Sequence, residues 1–236
     1  MTVRADRWAC LVTALAARQG AELTVAGMCS SAADVLLVVP GTSIVVASGD
    51  GTLTGPTYSS AVTVAALEEV HFTLGVGPGS DAYNHGVPII QTDLVANPPA
   101  RWLGFTGPAL DAGVQAVFSF PLQVGAARIG ALTLYRNEPG PLDDDRYQDA
   151  AVMAGIITGA VLAMQAGAVD GLLGAGMSDG GGFHAKVHQA SGIVSVQLEI
   201  DVGEALVRLR AHAFAETRTV SDVAADVISR RLQFQP

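Results

Sequence analysis

Residues 113–136 read GVQAVFSFPLQVGAARIGALTLYR. Two runs within this stretch, VQAVFSFPL (114–122) and RIGALTLYR (128–136), are the clearest strands in the chain, dense in the β-branched and aromatic residues that suit a pleated, half-buried surface. The tight turn Val124-Gly125-Ala126-Ala127 joins them as a hairpin. An antiparallel sheet is therefore the expected centre of the fold.

Upstream, DVLLVVP (34–40) predicts a buried strand, SIVVAS (43–48) a second after the turn Pro40-Gly41, and Val87–Ile90 a short third. Helical spacing surrounds them. Trp8, Leu11, Val12 and Leu15 recur at i, i+3, i+4 and i+7, and ELTVAGMCSSA (22–32) continues as a second helix. Val62, Ala65, Ala66 and Leu67 predict a helix that runs into the Gly75–Gly79 loop, and another follows Asn97-Pro98-Pro99 and leads to Gly113. Asp143–Asp145 place acidic groups at the start of a long uncharged helix, where the macrodipole favours them. Helices packed on a mainly antiparallel sheet make an α+β domain over residues 1–166.

Residues 167–183 hold seven glycines and read as a flexible linker. From 184 to 236 the pattern is wholly helical. Val187, Ile193, Val194, Val196 and Leu198 form one apolar run. A second helix opens at Asp201 or Val202 and carries Ala205, Leu206, Leu209 and Ala213. A third, starting near Ser221, carries Val223, Ala224, Val227, Ile228 and Leu232. Three short helices with so thin a core are marginal alone and gain from a partner.

Charge follows the same division. Residues 184–236 contain six basic and six acidic side chains and three of the five histidines, so the whole net charge of −9 belongs to the first part of the chain. The acidity thus leaves a nucleic-acid role for the second part open. The cysteines, Cys10 and Cys29, match neither a metal spacing nor a secreted disulfide scaffold, and a reducing cytoplasm is the expected setting.

Two stretches imitate targeting signals. Arg4 and Arg7 followed by WACLVTALAA outline a signal peptide, but Asp6 lies in the basic region and the apolar spacing is that of an amphipathic helix. Residues 150–169 are uncharged and long enough to span a bilayer, yet their flank DDDRYQD is acidic. Gly155, Gly159 and Ala163 recur every four residues and would let a second helix approach closely, so a homodimer contact is expected there and no membrane partner. The alternative is that this stripe packs on the chain's own sheet or first helix.

The segment HQASGIVSVQLEIDVGEALVRLRAHAFAETRTVSDVAADVI (188–228) resembles the ANTAR family, through Gln189, Ala190, Gly192, Glu204, Ala205, Leu209, Arg210, Ala213, Val223 and Ala224. That resemblance implies a three-helix domain that binds RNA stem-loops of nascent transcripts as a dimer and acts in transcription antitermination. Upstream, HFTLGVGPGSDAYNHGVPIIQTDL, ARWLGF and GVQAVFSFPLQVGAARIGALTLYRNEPGPL are similar to GAF sensor domains found before ANTAR domains. In that subgroup a cysteine often follows the Gly-Pro of the loop, whereas this chain has Gly79.

Under this reading Lys186, Gln189, Ser191, Arg208, Arg210, His212 and Arg218 are the expected RNA-facing residues, because RNA is read through backbone shape and exposed loop bases. The competing reading is that these charges merely solvate helix surfaces, with Arg208 paired to Glu204 and Arg230 to Asp226. A DNA-reading helix-turn-helix is less favoured, since Thr219-Val220-Ser221-Asp222 offers little to base edges. Phe72, Tyr83, Trp102, Phe105 and Phe118 could line a small-molecule pocket, or simply fill the core.

GVGPG lacks the Lys-Ser/Thr of a phosphate loop and reads as a glycine turn. No cofactor or metal is implied. His71 and His85 stand isolated from metal-ligand spacings, Asp143–Asp145 mark a helix start, and no serine occupies a nucleophile elbow. An enzyme is therefore not expected, and the alternative to RNA regulation is a ligand-binding or dimerisation module.

Overall fold

The computed structural model describes residues 2–19, 24–49, 51–55, 57–166 and 182–235. Its elements run α1 (Thr2–Gln19), α2 (Val25–Val35), β1 (Pro40–Val46), β2 (Thr57–Ser59), α3 (Val62–Leu74), α4 (Pro78–His85) and β3 (Ile89–Gln91). After a 3₁₀ turn come α5 (Leu103–Asp111), β4 (Ala116–Val124), β5 (Ala127–Arg136), α6 (Asp144–Gln165), α7 (Gly182–Leu198), α8 (Val202–Ala215) and α9 (Val220–Ile228). The expected linker at 167–183 lies largely outside the described residues.

The five strands form one antiparallel sheet in the order β2-β1-β5-β4-β3. The β4–β5 hairpin is its centre, and side chains alternate between its faces. Phe118, Phe120, Leu122, Leu132 and Leu134 point into a core closed by α1, α2 and α6. Val117 and Tyr135 point the other way, where α3 and α5 cover them with Leu67, Trp102 and Phe105. The sheet is thus buried on both sides.

DVLLVVP is not a strand. Helix α2 continues through Val35, Leu36 N–H donates to Ala32, Val38 N–H donates to Ala33, and Leu37 takes a positive φ of 51°. Leu36 and Val38 turn inward while Leu37 and Val39 are exposed, so a helix end reproduces the in-out alternation of a strand. The strand itself begins at Pro40. Strand β2 and helix α4 carry no periodic signal strong enough to be foreseen, although Pro78 in the first turn is a helix-start residue.

Helix α3 buries Val64, Leu67, Glu68, His71, Phe72 and Thr73, and leaves Val62 88% exposed. Polar side chains therefore occupy part of its inner face. Helix α6, capped by Asp143 accepting from Arg146 N–H, is long and apolar enough by length and composition to cross a membrane. It lays Val152, Met153, Ile157 and Val161 on the sheet. Gly155 and Gly159 are exposed, and a Cβ at either meets nothing within 4 Å, so the described part of the chain does not cover the small-residue stripe.

Helices α7, α8 and α9 enclose Val187, Ala190, Val194, Ala205, Leu209, Ala213, Val220, Val223, Ala224 and Val227. Asp201 and Thr219 cap α8 and α9 by accepting from the N–H of Glu204 and Asp222. The largest side chain buried in this cluster, Phe72, comes from α3. The bundle is therefore completed by the sheet domain.

Gly130 sits where β5 runs between β1 and β4, and a Cβ there would lie 2.1 Å from the Val45 carbonyl oxygen. Gly130→Ala should lower stability by about 1–3 kcal/mol in urea unfolding. Gly192→Ala, inside α7 at a site with nothing within 4 Å, should instead raise it by about 0.5–1 kcal/mol.

Candidate functional site

A cavity of about 210 Å³ opens between α3, α4, residues 51–54 with Thr57, and α8. Glu68, His71 and Phe72 reach it from α3, Ser80 and Asn84 from α4, and Arg210 from α8. Its position follows from the chain's local turns. Gly75 takes a left-handed φ of 71° and closes α3 by donating to His71 O, and the chain then turns so that Pro78 opens α4.

The turn between these helices is built around His71. A Cβ on Gly77 would come within 2.8 Å of His71 Cδ2, and one on Gly79 within 2.8 Å of Cε1. Two glycines thus leave the slot in which the imidazole lies. The same contact explains the departure from the cysteine expected after Gly-Pro, because a side chain at 79 would displace His71.

Beneath the imidazole lies a fully buried carboxylate. Glu68 Oε1 accepts from Ser43 Oγ at 2.5 Å and from Tyr135 OH at 2.5 Å, and Oε2 lies 3.2 Å from His71 Nδ1. Burial alone would raise the Glu68 pKa, but the hydrogen bond from His71, with those from Ser43 and Tyr135, holds it below the usual range. Desolvation and the neighbouring carboxylate push the Tyr135 phenol well up, so it stays a donor.

The His71 tautomer follows from its partners. Ser80 N–H donates to Nε2 at 3.3 Å, so that nitrogen is an acceptor and carries no proton. The proton then sits on Nδ1 and is donated to Glu68. Ser80 Oγ, 2.8 Å from Nε2, donates to the same lone pair. A hydroxyl, an imidazole and an ionised carboxylate are thereby joined in one line.

On the opposite wall, Arg210 Nε donates to the Phe72 carbonyl at 2.9 Å, and its guanidinium lies 5.1 Å from the Phe72 ring centroid. No carboxylate pairs with it among the described residues, and burial pushes its pKa down to about 10. It remains a cation at neutral pH. His184 also stacks on Phe72, with centroids 3.6 Å apart, and its Nε2 lies 3.1 Å from Thr57 Oγ1. Burial lowers its pKa to about 4, so this ring is neutral. Val220 N–H donates to Thr73 Oγ1 at 3.1 Å, which ties α9 to the same stretch of α3.

Of the aromatic pocket candidates, only Phe72 lines this cavity. Tyr83 donates to Gly51 O and supports its rim. Trp102 and Phe105 are core residues between α3 and α5, and Phe118 belongs to the core on the other side of the sheet. With so few aromatics in the chain, packing claims them first.

The expected RNA-facing residues scatter. Lys186 and Gln189 are exposed one turn apart on α7. Arg208 is exposed and 3.4 Å from Glu204, His212 lies 3.2 Å from Glu216, and Arg218 holds Glu216 and Asp226 at 3.1 and 2.6 Å. Ser191 is corrected to a buried residue that donates to Val187 O within its own helix. Arg210 is likewise turned from the surface toward α3. The reading that left His71 isolated is corrected as well: Glu68, one helical turn before it in EEVH, is the signal that the metal-spacing test overlooks.

No protein-family model and no curated protein matches the sequence, so the ANTAR resemblance of the C-terminal helices rests on its residues alone. Among solved structures, the chain is similar to the GAF domain of a phosphoenolpyruvate-protein phosphotransferase from Coxiella burnetii, at TM-score 0.50 and 12% identity over 70% of this chain and 97% of that one. The corresponding domain from Acinetobacter gives TM-score 0.48 and 9% identity over 72% and 99%. A domain of a sensor histidine kinase protein from Sinorhizobium meliloti gives 0.46 and 17% over 59% and 89%. The antiparallel sheet with its flanking helices is thus a GAF-like α+β fold.

Proposed function

We propose that this chain is a small-ligand sensor whose occupancy is read directly by its C-terminal helical bundle. The observation that carries the reading is Arg210, a cation of the bundle that walls a cavity of the GAF-like domain. A bound ligand would touch both parts at once, and differential contact is what lets a ligand shift an equilibrium between two arrangements. The cavity is below the roughly 300–1,000 Å³ of drug-sized sites, and its unpaired guanidinium favours a small molecule with an anionic group.

RNA binding is a second reading of the bundle. It is supported by the ANTAR-like pattern and by Lys186 and Gln189, which lie exposed on one face of α7. In this reading the ligand controls whether Arg210 stays on α3 or joins that face. The exposed Gly155 and Gly159, with the half-buried Ala163 one turn on, support a homodimer through α6, which would bring two bundles together and raise affinity through effective concentration.

Three outcomes follow. Small carboxylates and phosphates screened by thermal shift should yield a ligand whose affinity falls about 10–100-fold in Arg210→Ala, the loss of one charge-assisted contact; unchanged affinity would remove Arg210 from the site. RNA stem-loops titrated over a salt series should bind with affinity that falls steeply with salt and weakens in Lys186→Ala, whereas no binding at any salt leaves the chain a ligand-binding module. Light scattering should find a dimer that Gly159→Leu splits into folded monomers.

A further inference from the structure

We propose that Ser80, His71 and Glu68 form an acyl-transfer site that hydrolyses small carboxylic esters in the cavity, an activity beyond ligand sensing. The three groups come from two helices and stand in the order a nucleophile, its base and an orienting acid require. Ser80 Oγ is 2.8 Å from His71 Nε2, and His71 Nδ1 is 3.2 Å from Glu68 Oε2. Ser80 and His71 both line the cavity, so a substrate there meets the hydroxyl directly.

Several features go beyond what packing alone requires. The Glu68 carboxylate, which can only accept, sets the imidazole tautomer with the proton on Nδ1 and turns the Nε2 lone pair toward Ser80. Gly77 and Gly79, having no Cβ, leave a slot that a larger residue at either position would close on the ring. Glu68 is fixed from the far side by Ser43 and Tyr135 and cannot swing away. A base held in one tautomer and one orientation is the costly part of such a site, and here every contact enforces it.

In the reaction, the Ser80 oxygen attacks the ester carbonyl carbon while its proton passes to His71 Nε2, and the resulting imidazolium is stabilised by the Glu68 carboxylate. The tetrahedral adduct collapses by breaking the bond to the alkoxy oxygen, which leaves as the alcohol with the proton from Nε2. Water then attacks the acyl carbon, gives its proton to Nε2, and releases the carboxylic acid as Ser80 recovers its hydrogen. Asn84, one turn along α4 from Ser80 and also lining the cavity, presents an amide donor for the developing oxyanion. Arg210 faces the same space and selects an ester bearing an anionic group.

The full chain is treated with a fluorophosphonate, which phosphonylates an activated serine with loss of fluoride, and is assayed with p-nitrophenyl acetate. The expected result is one adduct, on the peptide containing Ser80, with adduct and turnover both lost in Ser80→Ala. His71→Asn should slow labelling about 10²–10⁴-fold, and Asn84→Ala should slow turnover about 10²–10³-fold. His71 is buried, so its variant is scored only where circular dichroism matches the unmodified chain; otherwise Ser80→Ala and Asn84→Ala decide. A folded chain with no adduct on Ser80, labelling of a folded His71→Asn at the original rate, or turnover that survives Ser80→Ala overturns the proposal. Ser80→Ala keeps the cavity and Arg210, so ligand-induced stabilisation of that variant tests the sensor reading separately.

Discussion

A buried carboxylate is the constraint around which the GAF-like part of the molecule is arranged. Glu68 is removed from water, and an ionised group in that position is tolerated only where donors surround it. The donors come from three separate elements: Ser43 on β1, Tyr135 on β5 and His71 on its own helix. Meeting the needs of one acid therefore fixes how α3 sits against two neighbouring strands. It also fixes which way the His71 ring faces, and through that ring the shape of the turn at Gly77–Gly79 and the position of Ser80.

Helix α3 serves a second interface just beyond this cluster. Phe72, next in sequence to His71, points away from the sheet and enters the core of the C-terminal bundle, where alanine and valine dominate and leave room for one large side chain. Its carbonyl holds Arg210, its ring carries both Arg210 and His184, and the adjoining Thr73 hydroxyl receives the first N–H of α9. Consecutive residues on one helix thus anchor a buried polar cluster and a domain contact. A disturbance at the cavity has a short physical path to the bundle, because the two share a stretch of backbone from Glu68 to Gly75.

About half of the bundle's charged residues pair with one another. Arg218, Arg231 and Asp226 form a local ion-pair group, and Arg208 and Glu204 pair along α8. Exposed pairs of this kind add little stability each, and among the described residues they leave Lys186, Arg210 and Arg230 without a carboxylate partner. Arg210 differs in being held by a carbonyl and an aromatic ring, so that it stands between the two halves as a charge without a counter-ion among the described residues.

Much of the architecture was legible in the residues themselves. The β4–β5 hairpin, the helices α1, α2, α5 and α6, the acidic start of α6 and the three C-terminal helices all follow from hydrophobic period, turn residues and caps, and each of these acts over a few neighbouring positions. The strand expected at 34–40 failed because a helix end can bury alternate residues as a strand does, and local pattern has no means to separate the two. The aromatic residues expected at a pocket went to the core, where their area is worth most. What only the tertiary structure decided is the meeting of Ser43, Glu68, His71, Ser80, Tyr135 and Arg210. Only the Glu68–His71 pair, one turn apart on α3, has a local signal that marks it; the approach of the others is set by sheet order and by the docking of α3 and α8, which are long-range results of packing that no short window of sequence contains.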